Sequence, residues 1–578
     1  MSSMSSSSLT AFLQEFVDNP SVRQLKRFSR LFYSVCHATD ELGEDDSTTH
    51  SKVLLDTPDD HQSVILFALV HLRTIFDTIL EISELQSDCP SSSPKWSTVE
   101  GSVKVIISGL MHFIASLQNL GNSSLINYVL IGSSTLAPYL AVFPSLTKIA
   151  ISASLRLWTQ EPDDLPEITL DSEEVDEEKE KTGVSLPAFQ FLSSVMQTMA
   201  LRDGEDNITN GVKILKKAVE EFLAVAKFTS ESSFSFHSFL LDSLTSLFAS
   251  SPDRLSYPAY FFTLREAART ARGAVITRKG KGKKSFYSKG KRLSQADLKQ
   301  KALSATQFAR LRFLVSTMLK MHNNPEFKLL LQPLYTVLTG TATMASSPAS
   351  SPSKLIAIEM MINLIEKTGV FCPMTGLFTG LLTCSAFVGK LPQVPKKAVF
   401  LNISVTLKAS EGIVGSRLLA QPVLKKSADL LRRLGKYYRG HPSFPELFGV
   451  ILNNCKHSLE TCDPSLSTIL KDLITELSLN SEFIRSERAA ISFSVTESNE
   501  LSKWMKQKST ECPLGRIMSV KTLKKATLKT RKSSEVNEKE PRIEEEVEVN
   551  NDKVKVEQES LVELVMSDEE EAYESDTD

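Results

Sequence analysis

Fifteen residues in the middle of the chain, Arg278-Lys-Gly-Lys-Gly-Lys-Lys-Ser-Phe-Tyr-Ser-Lys-Gly-Lys-Arg292, hold eight cations and no acid. Cations at this density attract polyanions, because each one that neutralises a phosphate releases a condensed counterion. The glycines let the backbone follow a phosphate chain closely, and Phe286 and Tyr287 offer rings on which unpaired bases stack. Arg278, Lys279, Lys281, Lys283, Lys284, Lys289, Lys291 and Arg292 are therefore the expected nucleic-acid contacts, on a large ribonucleoprotein. Nuclear-import recognition is a second use of the same lysines, and a solvated loop is the plainer alternative. Nothing in the pattern implies sequence specificity.

A second cluster, Lys521, Lys524, Lys525, Lys529, Arg531 and Lys532, reads as an import signal or a backbone contact. Beyond it, Ser567 and Ser575 each have an acid three positions on, Glu570 and Asp578, which suits an acidophilic kinase. Phosphates there would deepen the negative charge around them and weaken any contact between this tail and a basic surface.

Enzyme chemistry finds no comparable foothold. Gly280 to Ser285 lacks the spacing of a phosphate-binding loop, and there is no G-x-S-x-G or H-E-x-x-H. Cys455 and Cys462 flank His457 without a C-x-x-C or a second ligand pair, and Cys455 falls on an apolar helix face, so a core cysteine is expected rather than a metal ligand. No metal, cofactor or catalytic residue is expected. Trp96, Trp158 and Trp504 read as packing anchors.

The formal net charge of −3 hides a segregation along the chain. Residues 161 to 181 hold eleven acids against two lysines, and residues 535 to 578 hold eighteen acids against four bases. The rest of the chain is therefore strongly basic, and its acidic segments could compete with a polyanion for the same surface. Seven cysteines without close pairs do not make a disulfide framework, and the first thirty residues lack a signal peptide's basic start and apolar run, which together point to a reducing, intracellular compartment. Residues 105–147 and 368–389 contain no charged side chain, yet prolines, glycines and asparagines interrupt them, so both read as buried segments of a soluble protein rather than membrane spans.

What must position these charges is helical. Leu466, Ile469, Leu470, Leu473, Ile474 and Leu477 recur on one face of a helix that Asp463 and Pro464 begin. Ser443 and Glu446 have the spacing of a capping box ahead of Leu447, Phe448, Ile451, Leu452, Cys455 and Leu459, and Pro422 is expected to open a third helix through Val423, Leu430, Leu431 and Leu434. Amphipathic helices succeed one another from Val22 onward with short connections, in a chain too long for one ordinary core. The expected fold is all-α, a HEAT- or armadillo-like helical-repeat solenoid with a disordered charged insert and C-terminal tail.

Composition divides that solenoid. Residues 1–20 are expected as a short flexible N-terminus, 21–160 as N-terminal repeats, 161–183 as an acidic linker, 184–277 as central repeats, and 278–300 as the basic loop. Residues 301–500 form the C-terminal repeats with a flexible Ser/Pro loop at 346–353, and 501–578 a disordered tail, basic over 516–532 and acidic over 535–578.

Taken in order, several segments resemble the nucleolar complex protein 2 family. They begin with the basic amphipathic stretch from Leu25 to His37 and continue through 136–140, 143–146, Leu157-Trp158, Lys227-Phe228, 239–244 and 260–265. The closest piece runs from Leu331-Gln-Pro-Leu-Tyr335 through Leu364-Ile-Glu-Lys-Thr-Gly-Val-Phe-Cys-Pro373, then 405–408, 444–447 and 480–485. The resemblance covers roughly residues 21 to 490 and departs at Gln307-Phe308, where the family's Trp and Cys are missing. It implies a helical-repeat assembly factor of the large (60S) ribosomal subunit, in nucleolus and nucleoplasm, that pairs with nucleolar complex proteins 1 and 3 on pre-ribosomal particles, supports their maturation and nuclear export, and brings no catalytic residues. The alternative from another class is a nuclear transport adaptor or general helical-repeat interaction hub without direct RNA contact.

Overall fold

Apolar residues at three- and four-residue spacing give almost every segment of this chain one face that must be covered. In the computed structural model they are covered by neighbouring helices. The structure describes residues 2–36, 53–55, 57–82, 90–117, 123–161, 184–201, 205–276, 287–288, 291–292, 294–388, 391–392, 400–493 and 497–514.

Eighteen helices of eight or more residues follow one another among the described residues. The first six are α1 (Ser6–Asp18), α2 (Val22–Cys36), α3 (Pro58–Leu80), α4 (Trp96–Leu117), α5 (Ser123–Thr135) and α6 (Pro144–Trp158). Next come α7 (Ser185–Ala200), α8 (Glu205–Ala226), α9 (Phe234–Ser250), α10 (Asp253–Ile276), α11 (Gln295–Ala302) and α12 (Ala305–Met321). The last are α13 (Leu331–Met344), α14 (Ser351–Thr368), α15 (Arg417–Tyr438), α16 (Phe444–Thr461), α17 (Pro464–Ala489) and α18 (Ser498–Glu511). Besides shorter helical turns there are two short strand pairs among the described residues: Ser2–Met4 runs parallel to Val53–Leu55, and Tyr287–Ser288 antiparallel to Lys291–Arg292.

The principal packings join helices close in the series. Thus α2 lies on α4, α4 on α6, α6 on α7, α7 on α8, α8 on α10, α9 on α12, α12 on α14, α14 on α15 and α15 on α17. This near-neighbour pattern is what a stack of helical layers produces. One contiguous apolar core runs through it from Leu9 to Trp504. The three tryptophans are buried in it, and Trp158 Nε1 donates to Ser243 Oγ of α9 at 3.0 Å, so the largest core side chain leaves no orphan donor. Helices α3 and α4 are long and apolar enough to cross a membrane, but half of each apolar window is buried against neighbours, as in core helices of a stack.

The C-terminal helices show the expected stripe. Leu466, Leu470, Leu473 and Leu477 are buried, α17 starts at Pro464, and Cys455 is fully enclosed, with burial pushing its thiol up to about 12. Five expectations need correction. Residues 1–20 are not a flexible arm: α1 buries Leu9, Phe12 and Phe16, a helical spacing masked by the serines around it. Pro422 does not open α15 but sits inside it. A proline deprives the carbonyl four residues back of its donor, and here that carbonyl, Leu418 O, accepts instead from Leu401 N–H at 3.3 Å. Ser443 precedes α16 without a side-chain cap bond, and Glu446 turns to Arg488 of α17 at 2.7 Å.

The fourth correction is the Ser/Pro stretch at 346–353. It is a 3-10 turn (Pro348–Ser350) running into α14, with Ser350, Ser351 and Ser353 buried. Small side chains let it seat against the segment at 407–409: Ser353 donates through both N–H and Oγ to Leu407 O, and Ala409 N–H donates to Ala349 O at 2.8 Å. The tail likewise starts later than position 501, since α18 buries Trp504 and is followed by buried Cys512 and Leu514. The acidic stretch beyond Glu161 and residues 515–578 lie outside the described residues.

Candidate nucleic-acid interface

The cations of a helical stack serve one of two ends: they pair with acids across helix contacts, or they face solvent uncompensated. In the C-terminal layers they pair. Lys426 Nζ reaches Glu359 at 2.6 Å, Arg433 reaches Glu366 at 2.6 Å and Asn363 at 2.8 Å, and Arg432 reaches Glu476 at 2.7 Å. Lys508 lies 2.7 Å from both Glu487 and Glu511. Such charges tie helices together and leave little field for a polyanion.

Helix α10 is different. One side buries Leu255, Ala259, Tyr260, Leu264, Ala267 and Ala271, and the small alanines allow close approach of α12. Tyr260 Oη donates to Leu314 O at 3.0 Å, and full burial pushes its phenol far above the ordinary range. Gln307 of α12 is buried too and donates to Ala267 O at 3.1 Å, so it acts as a polar clip between the two helices.

The opposite side of α10 exposes Phe261, Arg265, Arg269 and Arg272, at i, i+4, i+8 and i+11. Arg269 pairs locally with Glu266 at 2.5 Å, whereas Arg265 and Arg272 have no carboxylate partner among the described residues. Lys216, from α8, holds its Nζ 4.0 Å from the centroid of the Phe262 ring, and Arg265 lies 5.5 Å from the same centroid. Two cations gathered at one aromatic ring are held in place by cation–π attraction, and neither forms an ion pair among the described residues. Phe261 stacks on Tyr257 and remains nearly half exposed, which leaves a ring beside the cations. The helices meet closely at Gly211, where a Cβ would lie 3.0 Å from Leu255 Cδ2.

This ridge ends where the basic segment begins. Of the sequence-derived contacts, Arg278, Lys279, Lys281, Lys283, Lys284 and Lys289 lie outside the described residues, and of Lys291 and Arg292 the structure describes only the backbone pairing with Ser288 and Tyr287. Lys521, Lys524, Lys525, Lys529, Arg531, Lys532, Ser567 and Ser575 also lie outside them. The anchors of the basic segment are described, however. Ala274 near the end of α10 packs with Leu298 and Ala302 of α11, so the chain leaves the ridge and returns to the same place. At the return, Ser294 and Asp297 form a reciprocal capping box, and hydrogen bonds donated by the Ser294 hydroxyl and N–H hold the Asp297 carboxyl below the usual range. Exposed Lys299 and Lys301 follow. The basic loop therefore ends at 294, not 300.

Sequence reasoning missed Lys216, Arg265 and Arg272. Their signal was available in the arginines spaced along 265–272, but Lys216 joins them only through the packing of α8 on α10.

Comparison with known proteins places this ridge inside a recognised region. The sequence pattern of the Noc2p family matches residues 211–521. The chain is 21% identical over 449 residues to "Nucleolar complex protein 2" of Drosophila melanogaster, covering 77% of this chain and 52% of that protein. It is 20% identical over 499 residues to "Nucleolar complex-associated protein 2" of Arabidopsis thaliana, covering 85% and 58%. The chain thus spans little more than half the length of these two relatives. Among solved structures, a "Circular tandem repeat protein with novel repeat topology and enhanced subunit contact surfaces" aligns over 83% of this chain and 96% of its own at 12% identity, with a TM-score of 0.25. The all-helical fold rests on the helices themselves.

Proposed function

Because the chain belongs to the Noc2p family, we propose that it is a non-enzymatic scaffold of ribosome assembly that contacts pre-ribosomal RNA through the α10 ridge and the adjoining basic segment. Its helix faces hold helical-repeat partners of the nucleolar complex type, nucleolar complex proteins 1 and 3, on precursors of the large subunit in nucleolus and nucleoplasm, and the scaffold supports their maturation and export. The observation that carries the RNA contact is the gathering of Lys216 and Arg265 at the Phe262 ring, with exposed Arg272 further along the same helix and none of the three in an ion pair among the described residues, at the foot of a segment holding eight further cations. Such a surface binds the phosphate backbone and stacks on unpaired bases rather than reading sequence.

The test replaces Lys216, Arg265, Arg269 and Arg272 by Gln, alone and with the cations of 278–292 neutralised. Co-sedimentation with pre-ribosomal particles should weaken and lose much of its salt dependence, while pairing with a helical-repeat partner survives. Unchanged co-sedimentation, with recovery of transport machinery alone in nuclease-treated extract, would replace this reading by that of an import or export adaptor.

A further inference from the structure

A second cationic face lies on the first helical hairpin. Every exposed residue of α2 is a cation: Arg23, Lys26, Arg27 and Arg30. They recur at i, i+3, i+4 and i+7, a single stripe about 10 Å long at 1.5 Å of rise per residue. The other side of the helix is sealed by Leu25, Phe28, Leu31, Phe32 and Val35, so the stripe cannot rotate away. Arg27 is held with its guanidinium carbon 4.7 Å from the centroid of the Phe12 ring in α1. The acids nearest in sequence are Glu15 and Asp18, and Asp18 accepts from Gln14. Among the described residues none of the four cations forms an ion pair, in contrast to the cations of α15 and α18.

Four like charges on one helix face repel one another. Nothing in the packing of α2 requires them, since the apolar side alone fixes the helix. We propose that this face binds the phosphate backbone of RNA as a contact separate from the α10 ridge. Three of the four are arginines, whose planar fork donates two parallel hydrogen bonds to a phosphate, and the stripe spans several phosphates at ~3.4 Å of rise each. The ring of Phe12 preorganises one guanidinium, which lowers the ordering cost of binding. The inference rests on the reading of the chain as an RNA-binding scaffold, but its residues lie outside the family-matched stretch 211–521.

The experiment titrates a single-stranded RNA oligonucleotide against the full chain at several salt concentrations. It compares R23Q/K26Q/R27Q/R30Q with R265Q/R269Q/R272Q and with the combination. Each phosphate contact contributes about 0.7 to the slope of log K against log salt for single strands, so the α2 variant should lower that slope by roughly 2–3 and add to the effect of the ridge variant. The charge-preserving R23K/R27K/R30K should keep the slope with weaker binding. Unchanged affinity and slope in the α2 variant, beside weakened binding in the ridge variant, overturns this inference and leaves the ridge standing. If neither variant differs from the parent, both readings fall. A lower melting temperature with RNA binding unchanged would show that the stripe serves the fold rather than RNA, and would equally overturn the proposal.

Discussion

Arg417 and Asp463 form a two-pronged pair, with Arg417 Nη2 3.1 and 2.8 Å from the two carboxylate oxygens, that ties the start of α15 to the start of α17. The Asp463 side chain is almost wholly enclosed and also accepts from Leu391 N–H. Asp463→Ala therefore strands a guanidinium and a backbone donor together, and should cost about 3 kcal/mol in denaturant unfolding. Replacing both partners, R417M/D463L, should recover most of that loss, because no charge is left unpaired. Equal losses in the single and double variants would show that the pair does not couple the two helices.

Gly440 fixes how the last helix docks. A Cβ there would fall 2.5 Å from Met505 O and 2.7 Å from Ser509 N, both backbone atoms of α18 that cannot swing aside. Gly440→Ala should displace α18 and cost about 1–3 kcal/mol, the range for overpacking. Gly449, inside α16 with nothing near its Cβ position, is the control: Gly449→Ala should stabilise by up to about 1 kcal/mol through helix propensity. Hydrogen exchange of the α18 amides reads the difference, with protection lost in the first variant and kept in the second.

Stability should fall on mild acidification, with His441 among the causes. Its ring stacks on Phe371 at 4.8 Å, and its Nδ1 accepts from Ser443 N–H at 3.1 Å, a bond that requires that nitrogen unprotonated. Burial holds its pKa below the ordinary value, and His237 shifts the same way, mainly through burial. The neutral form is favoured in the folded state, so the stabilisation is complete above about pH 6.5 and is lost as pH falls toward the lower folded pKa. Urea midpoints at about pH 7.5 and about pH 5 should differ less in His441→Gln than in the parent chain. An identical difference in the two proteins would remove His441 from the account.

Much of the fold was legible because its signals are local. The stripe from Leu466 to Leu477 and the start of α17 at Pro464 need only the helical period and a proline without a donor. What was not legible depends on distant partners. Pro422 is tolerated within α15 because Leu401 supplies the Leu418 carbonyl with a donor, and the serines of 350–353 are buried because Leu407 lies opposite them. The candidate interface divides the same way. The eight cations of 278–292 stand out in the sequence, whereas Lys216 and Arg265 meet at Phe262 through the packing of α8 on α10. The face of α2 was half visible, as a basic amphipathic stretch, and only three dimensions show that its cations form no ion pair among the described residues.

The small cluster of Ala274, Leu298 and Ala302 gives the basic segment the character of an exchangeable cassette. Its two ends are clamped at one point of the stack, and for a loop so closed each doubling of length adds only about 0.6 kcal/mol of closure entropy. Cations can be added to or deleted from the cassette with little cost to the scaffold, so the polyanion affinity proposed for it would be free to change faster than the layers that hold it.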